Sequence, residues 1–338
     1  MSFLPGAEVD LRGSNTLGLP ASAQWCADID DTADLPAALD FARSRGLALR
    51  VLGGGSNVVL PERLPGLTLR MRNRGIALLE ETSAAYVVRA AAGEPWHPFV
   101  LHCHQQGWHG LENLALIPGT VGAAPIQNIG AYGVELAGFV GEVRGVDAHS
   151  GEPRILAAAA CGFAYRHSIF KDALAGRLLI TDVVFALPKS PAPATHYAAL
   201  AAELSGIAAP DHADVLAAVI AIRRRRLPDP ALVPNAGSFF KNPVIASAEF
   251  RQLEARWPGI AHWLQDDGRV KLAAAWLVER CGWKGYREHG VGVHEAQALV
   301  LVNVGGGTAT ALLALAERIQ DSVRQRFGLG LEIEPILC

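Results

Sequence analysis

Cysteine is sparse and unpatterned in this chain. Cys26, Cys103, Cys161, Cys281 and Cys338 are scattered, odd in number, and never form a C-x-x-C pair. That speaks against a disulfide framework or a zinc ribbon and fits a reducing compartment. An excess of one charge sign is missing too: 30 Lys plus Arg stand against 33 Asp plus Glu, for a net charge of −3. Such a balance suggests no general nucleic-acid or membrane-surface binding, although a local patch can still hold a small anion. No charge-free apolar run is long enough to span a bilayer, and "MSFLPGAEVD" has no basic region followed by an apolar stretch. The expectation is a soluble, cytoplasmic protein. Internal repeats and low-complexity tracts are also lacking. No H-E-x-x-H occurs, so His97, His102, His104, His289 and His294 are read as structural or surface groups, and no metal site is expected.

What is present is enough apolar material for two or three domains with cores, since half of the 338 residues are hydrophobic. "LPAALDFARSRG" reads as an amphipathic helix ending at Gly46, and "LALRVLGGGSNVVL" as strand, glycine turn, strand. Residues 71–186 alternate β-rich runs with Gly/Pro turns. A Pro-rich break at 190–196 precedes the helical "HADVLAAVIAIRRRR". Helices are also expected around "KLAAAWLVERCG" and in "GGGTATALLALAERIQDSVRQRF", with Thr308 or Thr310 as N-cap. In the latter, Leu312, Leu315, Ile319, Val323 and Phe327 recur at helical spacing. The closing "LGLEIEPILC" alternates as a strand would, placing Glu332 and Glu334 on one face. Elements mix without a βαβαβ rhythm, which favours an α+β fold.

Several stretches carry chemistry. "LGGGSN" can expose several backbone N–H groups to one phosphate or can be a plain hairpin turn; it is neither G-x-G-x-x-G nor a Walker loop. Residues 116–136, "LIPGTVGAAPIQNIGAYGVEL", are small and nearly uncharged, as a loop packed over a flat ligand would be. There Thr120, Gln127 and Asn128 can hydrogen-bond ring edges and phosphates. "FAYRHSIFK" sets Arg166 and Lys171 among aromatics, where a guanidinium serves either as a donor pair for a carboxylate or as simple packing. The arginines at 223–226 end a helix, where cations complement the dipole. "NAGSFFKNP" places Ser238 between a glycine and two phenylalanines, as a turn hydroxyl or a proton source kept from bulk water.

Together, and in this order, "LGGGSN", "IPGTVGAAPIQNIGAYG", "YRHSIFK", "NAGSFFKNP" and the terminal "LEIEP" make the chain resemble the UDP-N-acetylenolpyruvoylglucosamine reductase family over nearly its whole length. It looks like the form with an extra Tyr-bearing segment before the third domain. The resemblance implies an FAD-binding fold of the vanillyl-alcohol-oxidase/PCMH type. Subdomain 1 would span 1–70, completed by 329–338, and subdomain 2 would span 71–226. A C-terminal α+β substrate domain would span 227–328. It implies NADPH-dependent, FAD-mediated reduction of UDP-N-acetylglucosamine enolpyruvate in cytoplasmic peptidoglycan precursor synthesis, by a monomer whose partners are small molecules.

By the same resemblance Arg166, Ser238 and Glu334 are catalytic. Gly53, Gly54, Gly55, Ser56, Asn57, Gly122, Ala123, Ala124 and Tyr132 hold FAD. Tyr165, Tyr197, Arg226, Leu227, Asn242 and Gln297 contact substrate. Arg226 stands where the family would have Lys. Lys241 is a candidate, by nearness in sequence only, to return the proton to Ser238. Two other readings compete: an oxidase on the same flavin fold, and a catalytically silent nucleotide-sugar binder.

Overall fold

The structure, a computed structural model, describes residues 3–338. The chain divides into two compact units, each assembled from separated stretches.

One unit gathers Ser22–Gly55 and Leu64–Arg225 with the N-terminal residues to Val9. Its first helix, Leu35–Ser44, carries a proline in its opening turn, where a missing N–H costs nothing. It buries Leu35, Ala38, Leu39 and Ala42 along one stripe. The neighbouring sheet runs Gly6–Asp10, Ser22–Ile29, Arg63–Met71, Leu49–Leu52. Leu49–Leu52 lies parallel to Arg63–Met71, with Leu52 opposite Arg70, and the glycine turn begins where Leu52 ends.

A second sheet of five antiparallel strands follows, in the order Pro153–Ala157, Val140–Asp147, Leu178–Pro188, Ala85–Ala91, Ile76–Glu81. Its middle strand, "LLITDVVFALP", is buried along most of its length, which is why it reads as a nearly continuous apolar run. The helix Trp96–Gln105 packs on it, with the Phe99 and Phe185 rings 4.8 Å apart. The Trp96 indole N–H, fully buried, donates to the Leu114 carbonyl at 2.8 Å.

The other unit comprises Asp10–Ala21, Ser56–Arg63 and Arg226–Cys338. One sheet orders Asn235–Ser238, Val300–Asn303, Val291–Val293 and Arg287–Glu288. A smaller one orders Val244–Ile245, Val270–Leu272 and His262–Leu264. The helix Ala309–Phe327 covers them with the expected stripe, and Leu312, Leu315, Ile319, Val323 and Phe327 are all buried. Thr308 is its N-cap, its hydroxyl accepting the Ala311 N–H at 3.1 Å, and Gly328 closes it at φ +75°.

The chain's end is paired only in short pieces. Ile333 bridges to Phe240, with Lys241 N–H donating to Glu332 O at 2.8 Å and Glu334 N–H to Phe239 O at 2.9 Å. Pro335 has no N–H to offer, so the ladder breaks there and resumes in the short strand Ile336–Leu337. The two carboxylates differ in surroundings: Glu332 is exposed and ion-paired with Lys241, whereas Glu334 is only 9% exposed. Ile336–Leu337 pairs in parallel with Val58–Val59, just beyond the glycine turn. That turn is accordingly no hairpin loop, because its flanking strands belong to different sheets.

Candidate active site

The glycine turn and the Gly/Ala-rich loop, 60 to 70 residues apart in sequence, meet backbone to backbone. A β-carbon on Gly53 would lie 2.8 Å from Thr120 Oγ1 and 3.2 Å from the Ala123 β-carbon. One on Gly54 would lie 2.8 Å from Gly119 Cα. Gly55 takes φ +62°, a conformation open to glycine at little cost. The second loop is pinned from behind. Trp96 N–H donates to Gly119 O at 3.0 Å, Val121 N–H to Glu94 O at 2.9 Å, and Gly122 N–H to Ala92 O at 2.9 Å. Val121, Ala124 and Pro125 are buried, while Gly53, Gly122 and Ala123 are only partly covered and Gly54 is exposed. The outcome is a rigid strip of nearly bare backbone, suited to close approach by a flat cofactor with a charged tail.

Beside it stand the cationic groups of the same unit. Ala164 and His167 exchange backbone hydrogen bonds of 3.1 and 3.0 Å, forming a tight turn with Arg166 at its tip at φ +53°. That left-handed conformation costs a non-glycine residue about 1–2 kcal/mol. Arg166 Nη2 donates to Gly130 O at 2.9 Å, and its guanidinium lies 5.5 Å from the Tyr165 ring centroid. Tyr132, at φ +50° in the hairpin of Gly130–Ala131 and Val134–Glu135, meets Tyr197 edge to face at 5.5 Å. Asn113 ties these pieces together, donating to Tyr132 O at 3.0 Å and to Ala194 O at 2.8 Å.

Two residues here differ from expectation. Asn128 was expected to face a ligand, but it is wholly buried and its amide is spent inside the protein. It donates to Glu135 Oε2 at 2.8 Å and Ala164 O at 3.2 Å and accepts the Ala137 N–H at 2.9 Å. It therefore holds the turn that carries Arg166. Arg223, read as a dipole-complementing cation, instead lies within electrostatic reach of the Tyr132 phenol and of Arg166's charge. Burial lowers its pKa; the Tyr132 phenol opposes that and Arg166 adds to it. Its Nε is buried without a hydrogen-bond partner among the described residues. The signal was in the helix His212–Arg226. Val215, Val219 and Arg223 fall at steps of four, and the first two are buried. Arg225 points elsewhere, to an exposed pair with Glu203 at 3.0 Å.

In the other unit, Ser238 ends a strand opposite Val300, with a register shift between it and Asn235. Gly237 makes that bulge at φ +71°, its N–H bound to Asn235 Oδ1 at 2.8 Å. Phe239 and Phe240 are buried, and Ser238 is half-buried at the edge of that apolar mass. Glu334 N–H donates to Phe239 O at 2.9 Å, so the buried carboxylate's backbone sits one residue from the serine. Asn57 is drawn to the same place: its amide reaches Glu334 O at 3.5 Å and its carbonyl accepts the Ile336 N–H at 2.9 Å. Lys241 is engaged by Glu332 rather than directed at Ser238. Asn242 Oδ1 accepts the Ala274 N–H at 3.0 Å, capping the helix Ala274–Arg280. Gln297 and Leu227 are half-buried, and Arg226 is exposed at a helix end.

Among the described residues no helix is long and apolar enough to cross a membrane. Comparison with known proteins matches residues 26–154 to an FAD binding domain. Residues 229–338 match the C-terminal domain of UDP-N-acetylenolpyruvoylglucosamine reductase. A protein of that name from Ralstonia nicotianae is 51% identical over 328 residues, covering 96% of each chain. One from Pseudomonas fluorescens is 47% identical over 337 residues, covering 99% of each. The crystal structure of the Thermus caldophilus enzyme of that name shares the fold, with a TM-score of 0.68 at 23% identity over 99% of both chains.

Proposed function

The chain belongs to the UDP-N-acetylenolpyruvoylglucosamine reductase family, and from that premise we propose which of its residues carry the reaction. The fold is α+β, an FAD-binding domain joined to the family's C-terminal domain. The reaction reduces the enolpyruvyl group of UDP-N-acetylglucosamine enolpyruvate to UDP-N-acetylmuramate, with NADPH as reductant and FAD as cofactor. Bound FAD supplies the hydride. The strip of Gly53, Gly54, Gly55, Gly122, Ala123 and Ala124, with Ser56, Asn57 and Tyr132, would hold it; the packing of bare backbone at 53–54 against 119–123 supports this.

Hydride arriving at the terminal carbon of the enolpyruvyl group drives an electron pair onto its carboxylate. Arg166 meets that charge, its guanidinium steered by Gly130 O. Removing one such preorganised donor typically costs about 10²–10³ in rate. Glu334 acts as a hydrogen-bond donor or as the orienter of a water. Ser238 then gives its proton to the remaining carbon, a transfer made reasonable by the strong basicity of a carbanion-like acceptor. The observation that supports these two assignments is the 2.9 Å bond from Glu334 N–H to Phe239 O, which brings the Glu334 backbone to the residue that follows Ser238.

Tyr165, Tyr197, Arg226, Leu227, Asn242 and Gln297 contact the UDP-sugar, with Tyr197 closing over uridine in the form that bears the extra segment. Stacking of this kind is worth about 1–3 kcal/mol per base. FAD-binding subdomains at 1–70 with 329–338 and at 71–226, a substrate domain at 227–328, a monomeric state and a cytoplasmic location complete the proposal. The test is direct. Purified protein should be yellow and should oxidise NADPH only when UDP-N-acetylglucosamine enolpyruvate is present. Oxygen-dependent turnover without the UDP-sugar, or a colourless protein that binds it without turnover, would contradict the reading.

A further inference from the structure

Two of the histidines have evident structural work. His97 Nδ1 accepts the Leu116 N–H at 3.1 Å, and His294 Nδ1 accepts the Ala296 N–H at 3.2 Å. Three others converge on one carboxylate from three places in the chain. Glu112, 2% exposed, has its Oε1 at 3.1 Å from His104 Nδ1 and 2.8 Å from His109 Nδ1. Its Oε2 accepts the Gly110 N–H at 2.7 Å and lies 3.7 Å from His212 Nδ1. The ligand atoms of His104, His109 and Glu112 all lie within 4.8 Å of one another.

We infer that His104, His109 and Glu112 form a binding site for a zinc-type divalent ion, with His212 as its flanking imidazole. Four-coordinate zinc with bonds of about 2.0–2.1 Å keeps neighbouring ligand atoms about 3.3 Å apart. The spacings of 3.1 and 2.8 Å are already close to that edge. Two imidazoles and one carboxylate are a donor set that suits zinc, nickel or copper rather than magnesium or calcium.

His212 extends the cluster. Its Nε2 donates to Pro191 O at 3.0 Å, and backbone anchoring of this kind is how ligating histidines are oriented. Its Nδ1 faces Glu112 Oε2 at 3.7 Å, too far for a hydrogen bond. The His109 and His212 rings stack in parallel at 4.2 Å with 1° between planes. The three histidine side chains keep 21%, 28% and 16% of their surface exposed, so an ion can enter from solvent.

An ion here would clip together the end of the helix Trp96–Gln105, the turn after it, and the start of the helix His212–Arg226. Its role is structural. The same helix carries Arg223 at its far end, and Asn113, next to Glu112, holds the Tyr132 hairpin. This assignment is independent of the reductase chemistry.

The test is calorimetric titration of the flavin-loaded Cys338→Ser protein with Zn²⁺ alone, which removes the exposed thiol as a competing ligand. Saturation at one ion per chain is expected. His104→Ala and His109→Ala should each weaken binding about 10–100-fold. Thermal unfolding gives a second readout: zinc should raise the midpoint of the parent protein and leave both variants unmoved. No zinc uptake by the parent at micromolar concentration would overturn the assignment and leave a network of hydrogen bonds alone. Equal affinity in the parent and both variants would overturn it as well.

Discussion

Gly122→Ala should expel the flavin. The added methyl carbon would lie 2.5 Å from the Ala92 β-carbon, 3.0 Å from its Cα and 3.2 Å from its carbonyl oxygen. Carbon pairs are at ease near 3.5–4.0 Å, so the two segments must part by about 1 Å. Ala92 is 1% exposed and two of the three atoms are backbone, so no rotamer change relieves the clash. Parting the segments also stretches the bond from Gly122 N–H to Ala92 O, now 2.9 Å. Overpacking of this kind costs about 1–3 kcal/mol, and a lost hydrogen bond adds about 1 kcal/mol. If the strip yields where the cofactor lies, flavin affinity falls about 30- to 1000-fold. The assay is the flavin-to-protein absorbance ratio after purification, followed by titration of the apoprotein with FAD. Gly138→Ala is the control, since nothing lies within 4 Å of its added carbon. A Gly122→Ala protein with full flavin and an unchanged unfolding curve would refute this reasoning.

Arg223→Leu should lower kcat/KM for the UDP-sugar about 10²-fold or more while leaving thermal stability intact or improved, because a buried charge is removed. Arg225→Ala, which breaks only an exposed pair, should leave turnover unaltered. Thr308→Ala should cost about 0.5–2 kcal/mol in denaturant unfolding without changing flavin content, as loss of an N-cap does. Burial pushes the Cys161 thiol up to about 11 and raises Cys103 as well, with Glu112's charge adding to the latter. At pH 8 a thiol reagent should therefore label Cys338 rapidly, and Cys103 and Cys161 only after unfolding. These raised values favour the protonated thiol in the folded state. Their contribution is complete below the ordinary thiol value of 9.0 and fades as pH rises toward about 11. Urea midpoints measured across that range should fall.

Local periodicity was the most legible feature. The stripe from Leu312 to Phe327 and the start of its helix at Thr308 follow from spacing and capping alone, because both depend on residues within a few positions. The glycine turn was visible as a turn, but its flanking strand Val58–Val59 pairs near residue 336, and no local signal specifies a partner so far away. The same limit explains Asn128. Its composition context suggested a ligand contact, whereas its partners Glu135 and Ala164 are set by tertiary packing. Period-two alternation did not distinguish the terminal carboxylates; tertiary packing does, since Glu332 is exposed beside Lys241 and Glu334 is buried. Arg223 was legible in principle: counting back by fours along its helix places it on the buried stripe, which the run of four arginines obscured. His104, His109 and Glu112 are sequence neighbours without a familiar metal-ligand spacing, and the fourth member was not legible, since His212 reaches Glu112 across 100 residues.

Stopped-flow absorbance of a Ser238→Ala variant separates the two halves of the reaction. Bleaching of the flavin by NADPH should proceed at the parental rate, since the serine has no part in that step. When UDP-N-acetylglucosamine enolpyruvate is then added, formation of UDP-N-acetylmuramate should collapse by orders of magnitude. A variant that forms product as fast as the parent, or that loses both halves equally, would contradict Ser238 as the proton donor.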